Sequence, residues 1–115
     1  MSPNTPKEMP AAQVTELITL QVHKVPVPSE LGPHDLLIKI AVAYFYQTDF
    51  MVSEGIMGTE LPCTGSHEEP GTAVAIGSDV RGFKEDDKIM ADVIYHPYGM
   101  CPDCLGLEIY SQYCL

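Results

Sequence analysis

An imidazole followed by two carboxylates occurs once in the chain, in Ser66-His67-Glu68-Glu69-Pro70-Gly71. Such a group can bind a divalent metal or move a proton, and it can equally be a polar surface segment. Tyr46-Gln47-Thr48-Asp49 adds a hydroxyl and a carboxylate, which suit proton handling or the capping of a short helix. Cys101 and Cys104 stand two residues apart in Cys101-Pro102-Asp103-Cys104, and Cys114 follows near the end. That spacing fits a metal knuckle, a thiol–disulfide pair, or two free thiols. Cys63 stands apart from them and reads as a half-buried thiol.

These groups need elements to hold them. Residues 1–10 carry Pro3, Pro6 and Pro10 and read as a disordered tail. Residues 17–25 alternate, with Ile18, Leu20 and Val22 on one face, and predict a half-buried antiparallel strand. Pro26, Pro28 and Pro33 end that ladder. A second strand is expected over 36–43, a turn or two of helix near 46–54 ended by Gly55 and Gly58, and a buried strand over 71–77. A further strand is expected over 88–95, anchored by Ile89 and Val93. Short strands separated by turn residues argue for a mainly-β fold, a small barrel or sandwich. The last segment, 96–115, has little periodicity and reads as a cysteine-bearing lobe in need of a staple.

The chain has 115 residues, 45% of them hydrophobic, and a formal net charge of −10. That length suits one domain over 11–115 behind the tail. The negative surface repels phosphate backbones, so nucleic acid is excluded as a partner. No apolar run is long enough to cross a bilayer, which excludes a membrane span. The N-terminus has no secretory layout, so four cysteines point to a reducing, cytoplasmic location.

The order of these motifs resembles the N-terminal catalytic domain of zinc-dependent medium-chain alcohol dehydrogenases. The family signature G-H-E-x2-G-x5-[GA]-x2-[IVSAC] is matched by Ser66-His67-Glu68, Gly71, Gly77 and Val80, with Ser66 in place of its first Gly. Tyr46-Gln47-Thr48-Asp49, Gly82-Phe83-Lys84-Glu85-Asp86-Asp87 and Tyr98-Gly99-Met100-Cys101 fall in the family's order around it. The resemblance implies a GroES-like β-barrel with a short helix and a C-terminal cysteine lobe. It also implies NAD(P)-dependent oxidation of small alcohols or reduction of carbonyls, with zinc stabilising charge on the substrate oxygen.

Carried over by residue, the resemblance makes His67 a zinc ligand and Glu68 its neighbouring carboxylate, with Thr48 as the proton-relay hydroxyl and Asp49 as a supporting carboxylate. Catalytic roles then fall on Thr48, His67 and Glu68. Cys101, Cys104 and Cys114 match the structural zinc lobe, with His96 near it. The match is incomplete. Tyr46 stands where the family has its first catalytic Cys, and Tyr98 where it has the first lobe Cys. Nine residues separate Cys104 from Cys114 where the family has seven. A phenol ionises near pH 10 and binds zinc poorly beside a thiolate. Weak or partial zinc is therefore expected, and no tight catalytic zinc. The acidic turn at Glu85-Asp86-Asp87 is expected to place Asp86 in the left-handed backbone that the family gives to Gly.

No G-x-G-x-x-G occurs in the chain, so no residue is assigned to bind the nicotinamide cofactor. The expectation is a truncated, partly degenerate catalytic domain of this oxidoreductase lineage, inactive by itself. The alternative is a non-catalytic zinc-binding or interaction module, forming a homo-oligomer or pairing with an intact paralogue through exposed apolar surface.

Overall fold

The computed structural model describes residues 5–92, and the expectations for Tyr98, Cys101, Cys104, Cys114 and His96 lie outside them. Six strands and one short helix follow in the order β1 (Glu8–Glu16), β2 (Thr19–Pro26), β3 (Leu36–Ile40), α1 (Gln47–Ser53), β4 (Cys63–Thr64), β5 (Pro70–Ile76) and β6 (Lys88–Met90). Among the described residues they form two three-stranded sheets, β2-β1-β4 and β3-β5-β6, with antiparallel pairing throughout. The mainly-β expectation holds, and no closed barrel forms within this span.

Strand β1 begins at Glu8, inside the segment expected to be a tail. Met9 pairs with Val25 and Pro10 with Lys24, and the ladder extends to a bond from Val27 N–H to the Lys7 carbonyl. Pro10 is tolerated because β4 reaches only Gln13 and Val14, leaving β1 effectively an edge at that point.

The burial expected along β2 is corrected. Ile18 is 76% exposed and Val22 74%, with Leu20 also open. Alternation put these residues on one face, but β2 is an edge strand and nothing in the described fold covers that face. Ile18 is not in the strand at all. It closes the two-residue turn between β1 and β2 with φ 57° and donates its N–H to the Ser53 carbonyl at the end of α1.

The buried apolar residues are small: Ala11 and Val14 in β1, Ala73 and Ala75 in β5. Along β5 every second residue is buried, as the glycine-bounded apolar run predicts. Glycine is required at both ends by close approach of backbone. A Cβ on Gly71 would lie 2.6 Å from the Lys39 carbonyl oxygen, and one on Gly77 would lie 2.5 Å from that of Pro33. These two signature positions are thus packing requirements of the second sheet.

The two sheets are joined by a short crossover over residues 65–69. It leads from β4, which is paired with β1, to β5 in the other sheet. His67 lies in that crossover. Its exit is tied down by bonds from Ala41 N–H to the Pro70 carbonyl and from Ala91 N–H to the Glu69 carbonyl.

Candidate functional site

Helix α1 is capped at its start by Tyr46, whose backbone is extended, and ends before Gly55, which takes φ 78°. The sequence suggests Thr48 or Asp49 as the cap. Tyr46 instead occupies the cap position, and Asp49 reaches back from the first turn to accept the Tyr46 N–H at 2.8 Å. The other Asp49 oxygen accepts the Ser66 N–H at 2.6 Å. At 5% exposure the carboxylate is buried, and both oxygens are used to join the helix start to the crossover that carries His67.

This clamp brings three side chains together. The Thr48 hydroxyl lies 3.2 Å from His67 Nε2. The Tyr46 ring stacks on the His67 ring with centroids 4.6 Å apart and planes 18° apart. The Tyr46 hydroxyl donates to the Glu68 carbonyl at 3.3 Å. Tyr44 meets Tyr46 edge-to-face at 6.3 Å. Beside the stack, Phe45, Tyr46, Gln47 and Phe50 line an open depression.

Loss of solvent, and after it the charges of Glu68 and Glu69, raise the Tyr46 phenol above its ordinary 10.0. The phenol therefore keeps its proton at neutral pH. His67 Nδ1 and Ser66 Oγ are buried with no hydrogen-bond partner among the described residues.

Ser66 has φ 75°, the left-handed backbone for which glycine is suited, at the position where the signature carries its first Gly. Asp86 has φ 72°, the left-handed backbone that the resemblance implies through the family's Gly at that position. Of the candidate residues, Thr48, His67 and Asp49 are brought into one cluster, with the Glu68 backbone at its edge. Two contributors had no signal in residue type alone: the Tyr46 ring as a wall of the site, and the Ser66 N–H as the anchor for Asp49. The signature offset at Ser66 and the missing Cys at Tyr46 were the available hints. His23 belongs elsewhere, in a polar chain with Gln13 and Thr64 across the first sheet.

A catalytic zinc takes three protein ligands and leaves one position open. Among the described residues no group of three His, Cys, Asp or Glu side chains could hold a metal ion. The residues around His67 do not fit a zinc of that kind.

The mainly-β fold, with a hydroxyl–imidazole pair at the crossover between its sheets, is consistent with the GroES-like domain that the signature resembles. Comparison with known proteins agrees. Residues 32–114 match the family model of the alcohol dehydrogenase GroES-like domain, and the chain belongs to that family. L-threonine 3-dehydrogenase of Escherichia coli is 36% identical over an alignment of 86 residues, a match that covers 71% of this chain and 25% of that protein. A candidate zinc-binding dehydrogenase from Sinorhizobium meliloti 1021, solved bound to NADP, superposes with a TM-score of 0.73 at 31% identity. That match covers 86% of this chain and 28% of the other. The quinone oxidoreductase of Coxiella burnetii gives a TM-score of 0.66 at 27% identity, covering 73% and 29%. The chain spans about a quarter of the length of the relatives it matches. No helix among the described residues is long and apolar enough to cross a membrane.

Proposed function

We propose that this domain supplies the substrate-side face of an NAD(P)-linked oxidoreductase acting on a small alcohol or carbonyl compound. The observation that carries the reading is the 3.2 Å approach of the Thr48 hydroxyl to His67 Nε2. A hydroxyl in contact with an imidazole can pass a proton to or from a substrate oxygen, and His67 can hold it. Beside the pair the Glu68 carbonyl accepts the Tyr46 hydroxyl. A nicotinamide would accept or donate the hydride, and no residue of this chain is assigned to hold it. These 115 residues by themselves are accordingly proposed to be inactive. Zinc, where present, is assigned to Cys101, Cys104 and Cys114.

The test is an assay of the purified chain with NAD(P)+ and a panel of alcohols, and with NAD(P)H and the matching carbonyls. No turnover is expected from the chain alone. Saturable turnover would overturn the inactivity, and its persistence in Thr48→Ala would overturn the role of the Thr48 hydroxyl.

A second reading is favoured by the open apolar side chains of Ile18, Leu20 and Val22 on and beside an edge strand. On that reading the domain is an interaction module that associates through this face. Light scattering over a range of concentrations distinguishes the two. A monomer at all concentrations would argue against self-association.

A further inference from the structure

We propose that His67 is not a metal ligand in this protein, and that Tyr46 is the residue that withholds it. The proposal concerns the same site as the oxidoreductase reading and rests on it for the family comparison. It does not depend on turnover, so the two can fail separately.

Three observations converge. First, the Asp49 carboxylate and the Tyr46 oxygen are engaged with something other than a shared centre. Both Asp49 oxygens accept backbone N–H groups, from Tyr46 and from Ser66. The Tyr46 oxygen points to the Glu68 carbonyl, to which it donates, and an oxygen that donates its proton does not offer the anionic lone pair a thiolate would.

Second, the imidazole is arranged for hydrogen bonding and stacking. Nε2 is in contact with the Thr48 hydroxyl, and that in-plane lone pair is the one a metal would need. Metal-bound imidazoles usually donate their other N–H to a carboxylate, a carbonyl or water, which fixes tautomer and ring orientation. Here no carboxylate or carbonyl among the described residues accepts from Nδ1. The ring is oriented by Tyr46, which lies nearly parallel to it at 4.6 Å.

Third, the replacement is at one position. Tyr46 stands at the helix cap, in the place where the related domains carry a cysteine, and its backbone is held by Asp49. The framework that would present a thiolate to His67 is therefore intact, and the side chain differs.

The experiment is Co2+ titration of the full chain, read by visible absorption and by metal content after dialysis. It compares the unmodified chain with His67→Gln, Tyr46→Cys and the double variant. The unmodified chain and His67→Gln are expected to bind the same number of ions with the same affinity, because any metal goes to groups elsewhere. Loss of one equivalent, or a weakening of about tenfold or more in His67→Gln, overturns the proposal. Tyr46→Cys is expected to gain affinity by at least about tenfold for one ion, and the double variant to lose that gain. No gain in Tyr46→Cys overturns the assignment to Tyr46.

A measurement without substitution guards against misfolding of the variants. The His67 ring resonances of the unmodified chain are expected to stay in place as one equivalent of Zn2+ is added. A shift or broadening confined to them overturns the proposal.

Discussion

Asp49 Oδ1 accepts the Ser66 N–H at 2.6 Å, so a helix side chain holds the backbone immediately before His67. Its second oxygen holds the Tyr46 N–H at 2.8 Å. One buried carboxylate thus ties the helix start that carries Tyr46 to the backbone that leads into His67. Truncating it leaves two backbone donors without their acceptor, and an amide in its place keeps an acceptor for only one of them. Asp49→Ala is expected to cost about 3 kcal/mol and Asp49→Asn about 2 kcal/mol, since hydrogen bonds to charged groups are the stronger ones. Urea unfolding measures both. A loss in Asp49→Ala below about 0.5 kcal/mol, the scale of ordinary surface changes, would mean that the clamp does not form in solution.

Ser66 occupies left-handed backbone with a buried hydroxyl that has no partner among the described residues. Ser66→Gly removes the steric penalty and the unpaired hydroxyl while keeping the N–H that Asp49 accepts. A gain of about 1 kcal/mol is expected in the same assay. Destabilisation would show that the Ser66 hydroxyl has a partner after all.

Ile18 is the less expected left-handed residue, being β-branched and 76% exposed. Little apolar burial is lost by replacing it, and the bond from its N–H to the Ser53 carbonyl survives any side chain other than proline. Ile18→Asn is expected to stabilise by about 1 kcal/mol, because asparagine tolerates this conformation at lower cost. A thermal midpoint that falls would contradict the turn geometry, or reveal a partner on the Ile18 side chain.

The Tyr46 phenol titrates above its unfolded value of 10.0, first through loss of solvent and then through Glu68 and Glu69. Below that pH the folded and unfolded chains both hold the proton, and the contribution of the group is constant. Above it the unfolded chain releases the proton first, so stability falls as pH rises toward the folded-state value. Unfolding free energies are expected to decline above about pH 10 more steeply for the unmodified chain than for Tyr46→Phe. Parallel declines would remove the special environment assigned to Tyr46.

Much of the fold was legible in residue order. The glycine-bounded run over 71–77 became β5, with Gly71 and Gly77 at the points where backbone comes too close for a side chain. Gly55 ended the helix with positive φ, and Asp86 took the left-handed backbone that the family resemblance implied. These features are local, because turn geometry and strand period act over a few neighbouring residues.

What residue order could not decide was cover and convergence. Alternation placed Leu20 and Val22 on one face, but whether a face is buried depends on what packs over it, and an edge strand left this one open. Strand β1 reached back to Glu8 because Val25 and Lys24 were there to pair with Met9 and Pro10, a relation between residues distant in sequence. The presence of Thr48, Asp49, Tyr46 and His67 was plain in the chain by itself. Their arrangement into a stacked, hydrogen-bonded cluster with no third metal-binding group among the described residues was decided by the crossover between the sheets, which the Asp49 carboxylate holds against the helix.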